Sequence, residues 1–295
     1  MGKILAFVLL SLPLVGAYAI FSLGIVVIYR ASKVLNLAHG AMAMVPAYLT
    51  ATVVDRGVPM ALALPIGLLS GGVLGYLIER VFVRPLRGVS ATAQTVGTVA
   101  ALGLLVAVAG KVWGTGGREA PGIFPDTQIA VADSGIRYGQ IGLFVVMLLV
   151  AGGLYMLLQR TGVGLAMRGA ADNPRAASLM GVDPQLATSA AWVIGGLTAA
   201  TGGILLAAVT TLHPVVLSLQ AVPALVAALI GGLGSLPGAL AGAAIVGGVL
   251  GLVPSVSSLQ RLEGSAQLLL AILALAVMAT RGERYVASDV RSGAL

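Results

Sequence analysis

Few residues in this chain of 295 could do chemistry. Histidine occurs twice, at His39 and His213, and cysteine is absent. No His/Asp/Glu grouping has metal-ligand spacing, and neither a Ser/His/Asp set nor a carboxylate pair is placed for hydrolysis. The phosphate-cradling pattern G-x-x-x-x-G-K-[ST] never occurs, because Gly110-Lys111 is followed by Val112 and lacks the earlier glycine. The expectation is a protein with no catalytic residues, no metal and no cofactor, hence not an enzyme. What remains is hydrogen bonding without bond cleavage. In VLNLAHGAMAM (34–44) the amide of Asn36, the imidazole of His39 and Gly40 interrupt an apolar run. On a helix, Asn36 and His39 would share a face. Neither can stay unsatisfied in hydrocarbon, so they line a solute path as a gate, or they clamp neighbouring helices with Asn36 as an N-cap.

A second polar interruption is GGLGSLPGALAG (231–242), with Gly231, Gly232, Gly234 and Ser235 at its start. A broken helix here would offer free backbone groups to a zwitterionic solute. The alternative is a tight turn followed by Gly238-x-x-x-Gly242 packing. Gln94 and Thr98 are further path candidates, or else glue between helices.

The elements that must hold these residues follow from composition. The chain is 58% hydrophobic and 9% charged, with a mean hydropathy of +1.03, against roughly 25% charge in soluble domains. Its apolar runs are continuous rather than alternating, and about 20 residues long, the length of a membrane-crossing helix and not of a barrel strand. Runs near 4–29, 35–54, 60–79, 91–110, 140–158, 188–209, 221–233, 238–253 and 264–280 predict an all-α integral membrane protein. The expected fold is one polytopic bundle over 1–295 with about eight or nine transmembrane helices and a re-entrant or broken segment near 221–242. Residues 1–19 imitate a secretory leader, but the run continues to Tyr29, so a retained first span is expected.

Lys and Arg divide 11 to 6 between alternate sides of a nine-span arrangement, out of 17 in all. The positive-inside rule then puts the C-terminus in the cytoplasm and the N-terminus outside, and it accounts for the net charge of +7 without nucleic acid. Asn36 and His39 fall at the inner entrance of span two on this scheme. No carboxylate lies deep in a span, which argues against an ion-coupled secondary transporter.

Two connections are long, 111–139 outside and 159–187 inside. In the inner one, Asn173-Pro174 is a helix start and Gly181 a stop. Ala176, Ala177, Leu179 and Met180 make a small apolar surface beside Arg168, Asp172 and Arg175, suited to docking on another protein; the alternative is a solvated connector.

VLNLAHGAMAM, IERVFVRPLR (78–87), GLAMRGAADNPRAASLMGVD (164–183) and ALIGGLGSLPGALAGAAIVGGVLG (228–251), in this order, resemble the H-type permease subunit of bacterial ABC importers for branched-chain and other hydrophobic amino acids. The resemblance covers roughly residues 5–280. It implies an inner-membrane subunit working by alternating access with a second, M-type permease, two cytoplasmic ATPase subunits and a periplasmic or lipid-anchored binding protein. It also implies that 164–183 is the ATPase-coupling segment, carried by Arg168, Asp172, Asn173, Pro174, Arg175, Ala176, Ala177, Met180 and Gly181. Leu37 stands where many members have phenylalanine, and the usual C-terminal signature is replaced by ATRGERYVASDV. Urea and short-amide permeases share the motifs, so the substrate stays open between these classes.

Overall fold

The computed structural model describes residues 2–123, 128–131, 134–208, 210–253 and 264–292, with side chains over 11–123, 139, 141–208, 210–253 and 264–279. Arg261 and the rest of 254–263 lie outside the described residues. The helices are α1 (Gly2–Ser32), α2 (His39–Asp55), α3 (Met60–Ile78), α4 (Ala91–Trp113), α5 (Tyr138–Arg160), α6 (Gly162–Asp172), α7 (Pro174–Leu179), α8 (Pro184–Ala207), α9 (Pro214–Leu219), α10 (Ala221–Gly231), α11 (Leu236–Leu252) and α12 (Ser265–Ser292). A π-helical turn, Glu79–Val83, and a 3-10 turn, Arg84–Leu86, extend α3. One short antiparallel ribbon, β1 (Gln128–Val131) with β2 (Ser134–Arg137), stands in the connection between α4 and α5.

Local sequence explains where these helices begin. Ser90, Thr161, Asn173, Asp183, His213 and Ser235 each accept a backbone N–H of the first turn through the side chain, satisfying donors that a helix start leaves free. In four of the six a proline follows within the first two helical positions, where its missing N–H costs nothing.

Two helices sit at the centre. α1 packs against α11, α8, α5 and α10, and α8 packs against α1, α2 and α3. The Ala17-Tyr18-Ala19 stretch is buried inside the continuous α1. Small residues bring the backbones together: a Cβ on Gly71 would overlap the Gly196 carbonyl, one on Gly196 the Gly71 carbonyl, and one on Gly75 the Trp192 carbonyl. Tightness of this kind substitutes for the hydrophobic drive that lipid cannot supply. Around the centre, α3, α4, α5 and α12 leave Leu69, Val96, Leu149 and Leu275 more than half exposed, as faces toward hydrocarbon do.

Among the described residues, six segments are long and apolar enough to cross a membrane: Ser11–Ser32, Met60–Leu86, Ala91–Trp113, Ile141–Arg160, Pro184–Ala207 and Pro214–Gly231. Leu236–Leu252 and Ser265–Ala279 are shorter apolar helices. The chain is a multi-pass helical membrane protein. Several connections collect at two ends of the bundle. At one, Arg30, Lys33, Arg168, Asp172 and Gly234 rim a cavity of about 260 Å³. At the other, the ribbon end, Arg118 pairs with Asp55 at 3.1 Å and bridges to Leu212.

Two expectations need correction. The broken segment does not lie over 221–242. Its crossing starts at Pro214, 7 residues earlier than the hydropathy run, because His213 and Pro214 act together as a helix start. The break falls between α9 and α10 at Gln220, whose amide oxygen accepts from the Tyr18 hydroxyl at 2.8 Å. Residues 232–235 form the tight turn instead: Gly232 has φ 84°, Ser235 caps α11, and Gly231 lies against Gly238 too closely for any Cβ.

The second correction concerns span two. Residues 33–36 are non-helical, with Lys33 at φ 57°, and 37–38 form a turn, so α2 starts only at His39. The His39 ring meets the edge of Phe21 with centroids 5.6 Å apart and lies against Gly24. These α1 residues stand 8 to 11 positions before Ser32, about 12 to 17 Å at 1.5 Å per residue. His39 is therefore close to mid-depth and not at an entrance.

Candidate functional site

A non-helical stretch of chain can run through a bundle only if its backbone finds partners. Here the Leu37 amide donates to Thr98 Oγ1 at 3.1 Å, and that oxygen lies 3.3 Å from the Leu35 carbonyl and 2.7 Å from the Thr95 carbonyl. The Asn36 side chain folds onto its own turn: Oδ1 accepts from the Ala38 amide at 3.0 Å, and Nδ2 lies 3.0 Å from the Met42 sulfur. Asn36, His39, Gly40 and Thr98 are thus brought to one place, all buried. Gln94 stands one turn before Thr98 on α4, also buried.

The fourth wall is the broken span. A Cβ on Gly40 would overlap the Ser218 carbonyl, so α2 begins directly against the last turn of α9. The first amides of α2, at Gly40 and Ala41, have no intrahelical acceptor. A helix start and a helix break therefore face each other at mid-depth, the arrangement by which backbone dipoles can hold a zwitterion without a charged side chain. Gly231, Gly232, Gly234 and Ser235 lie elsewhere, in the turn at the opposite end of α10 from this break. Ser218 and Gln220 carry no motif, and the one sequence signal for them was the His213-Pro214 start.

His39 completes the cluster in an unusual state. Its ring is fully buried and, among the described residues, neither nitrogen makes a hydrogen bond of good geometry, the Phe21 backbone being the one polar group that interacts with it. A buried unsatisfied polar group costs about 1–3 kcal/mol. Replacing His39 with Leu is therefore expected to raise the melting midpoint of the detergent-purified protein, in a thermal unfolding scan, by an amount matching roughly 1–3 kcal/mol. A lower midpoint would mean that the ring clamps a partner.

A third group lies at the end where α1 meets α6. Thr161 and Asn173 cap two short helices in succession, with Asn173 Oδ1 accepting from the Ala176 amide at 3.0 Å. α7 closes on a Schellman pair, Val182 N–H to the Ala177 carbonyl at 2.9 Å and Gly181 N–H to the Ser178 carbonyl at 3.1 Å, with Gly181 at φ 80°. Ala177 is buried against the bundle, whereas Leu179 and Met180 are 89% and 83% exposed. Arg175, Ala176 and Asp172 are exposed beside them. Arg168 turns back instead, donating to the Leu158 carbonyl and to Gln159.

Near the root of this projection, Glu79 is fully buried among Arg84, Arg87 and Ser189. Arg84 and Arg87 are thereby committed inside the protein, and of the basic trio in IERVFVRPLR only Arg80 is solvent-exposed without such a pairing. At the ribbon end, the Arg118 guanidinium lies 5.2 Å from the Tyr48 ring, which stacks on Trp113.

Comparison with known proteins bears on what this arrangement serves. Residues 7–279 match the family described as branched-chain amino acid transport system / permease component. The chain is 29% identical over 247 residues to the high-affinity branched-chain amino acid transport system permease protein BraD of Pseudomonas aeruginosa, covering 78% of this chain and 80% of that one. It is 30% identical to the probable branched-chain amino acid transport permease protein LivH of Methanocaldococcus jannaschii, covering 77% and 74%. Among solved structures, PsaBC from Streptococcus pneumoniae in complex with Fab is similar in fold, with a TM-score of 0.51 at 15% identity over 92% of this chain and 91% of that one.

Proposed function

From the premise that the chain belongs to the branched-chain amino acid transport permease family, we propose that it is the H-type membrane subunit of an ABC importer for branched-chain or related hydrophobic amino acids. It forms one permease domain in the bacterial inner membrane, with the N-terminus outside and the C-terminus in the cytoplasm. Nine crossings fit this reading: α1 to α5, α8, the α9–α10 pair, α11 and α12. ATP hydrolysis belongs to two partner subunits that dock on α6 and α7. An M-type permease completes the path, and a periplasmic or lipid-anchored binding protein delivers the solute.

The observation that carries this reading is the capped pair α6–α7, which holds two nearly fully exposed apolar side chains, Leu179 and Met180, away from the bundle at its basic end. A solvated connector has no reason to build three successive side-chain caps and a Schellman stop around them. For the path we assign Asn36, His39, Gly40 and Thr98, with Gln94 beside them. Here the orphan amides of α2 receive the carboxylate and the carbonyls of the α9 break receive the ammonium as the site opens.

The test is uptake by proteoliposomes carrying this subunit with its neighbouring permease, ATPases and binding protein. Radiolabelled leucine, isoleucine or valine should accumulate only with internal ATP and with the proton gradient collapsed. Accumulation of urea or acetamide in their place would move the substrate class, and uptake that follows the gradient without ATP would overturn the importer.

A further inference from the structure

Glu79 is a carboxylate with no exposure, in a turn with an uncommon hydrogen-bond pattern. The Arg84 amide donates to the Glu79 carbonyl five residues back, which defines the π turn. On a straight α-helix, residues five apart point about 140° away from each other. The π turn and the 3-10 turn after it undo that offset. Arg84 then reaches Glu79 with two nitrogens, at 3.0 and 3.2 Å, and Arg87 reaches the other side at 2.6 Å. A distortion this rare and costly in the helical ladder marks a position held for a purpose.

The same carboxylate crosses to another span. Ser189 Oγ lies 3.1 Å from Glu79 Oε2 and 2.8 Å from Arg84 Nη2. With its amide turned to satisfy both ends, Gln185 accepts from the same guanidinium at 2.7 Å. Both residues belong to the first turns of α8, and only Gly181, Val182 and Asp183 separate α8 from Met180. The Asp183 carboxylate caps α8 at 2.8 Å, so α7, this short link and α8 form one stiff path.

We propose that Glu79, with Arg84 and Ser189, is a transmission clamp: it locks the base of α8 to the end of α3, so that displacement of the α6–α7 projection moves span three together with α8. These are positioning residues and touch no solute. The proposal rests on the coupling role given above to α6 and α7. A buried carboxylate bridged by two guanidiniums suits the task, because its partners cannot slide without leaving charge unpaired.

The experiment compares Glu79→Gln and Ser189→Ala with the wild type in the complete reconstituted transporter, reading complex yield, ATP hydrolysis and uptake per ATP. Complex yield and hydrolysis should be retained, while uptake per ATP falls about tenfold for Glu79→Gln and about fivefold for Ser189→Ala, within the range of ordinary coupling energies. Unchanged uptake per ATP in both variants overturns the clamp. So does parallel loss of yield, hydrolysis and uptake in both, which would make the cluster a matter of folding alone. Failure of the coupling role shows itself separately, as retention of the ATPases by a chain with Leu179→Asp and Met180→Asp.

Discussion

Changing Leu179 and Met180 together to Asp reduces uptake to background, and the ATPase subunits no longer co-purify, while the permease still inserts and melts at its usual temperature. The expectation follows from exposure. The two side chains stand almost wholly in solvent in the isolated chain, so the fold loses little when they become polar. Seated in a partner's groove, each is worth about 1.5–3 kcal/mol on burial. Losing both removes about 3–6 kcal/mol of docking energy, and every 1.4 kcal/mol is about tenfold in affinity. An unpaired carboxylate carried into an apolar groove adds a further penalty. A loss of at least a hundredfold is thus expected, on the order of 3 kcal/mol, measured by titrating the ATPases onto permease in nanodiscs. Binding at wild-type strength would show that the partner docks elsewhere. Deleting 173–181 should give the same loss.

The second large effect lies in the fold. Gly196→Val should sharply lower the yield of folded protein from the membrane, because any Cβ there strikes the Gly71 backbone, which cannot rotate away. Overpacking costs about 1–3 kcal/mol where side chains can adjust and more where they cannot. Forcing α3 from α8 also disturbs the neighbouring Gly75 and Trp192 contact. Gly153→Val is the matched control, since a Cβ on Gly153 meets nothing within 4 Å. Monodisperse recovery after detergent extraction reads both: the control should equal the wild type, and equal recovery of Gly196→Val would mean that the two helices are not so closely apposed.

Much of this was legible before any coordinates, and the reasons differ by element. The helix start at Asn173-Pro174 follows from cap chemistry, which is local. The Gly238/Gly242 packing face, whose two glycines lie against the backbone of Gly231 and Ala227, follows from spacing. The depth of His39 does not. Residues 34–38, apolar apart from Asn36, are compatible with helix, and contacts with Thr98, contributed by a different span, hold the non-helical form. Spacing from an assumed helix start therefore put His39 and Asn36 near an entrance.

The break at Gln220 escaped for a related reason. Hydropathy sees a polar residue as the edge of a span, whereas Tyr18 satisfies this one inside it. Glu79 and its arginines escaped because separations of five and eight are not neighbours on an α-helix, so the spacing reads as three loose cations until the π turn is known. The candidate residues consequently divided. Those of 34–44 joined Thr98 at mid-depth, and those of 231–235 became a turn.

The non-helical segment before α2 has a consequence for biosynthesis. Peptide groups without helical bonds cannot be released into lipid, and the Leu37 amide and Leu35 carbonyl find their partner in Thr98, 61 and 63 residues further along the chain. When the first two spans leave the ribosome, that partner does not yet exist. The start of α2 must therefore be kept hydrated or shielded by the insertion machinery until α4 has been made. Order of synthesis and order of settling are uncoupled here: the second hydrophobic stretch to emerge reaches its final depth only after the fourth.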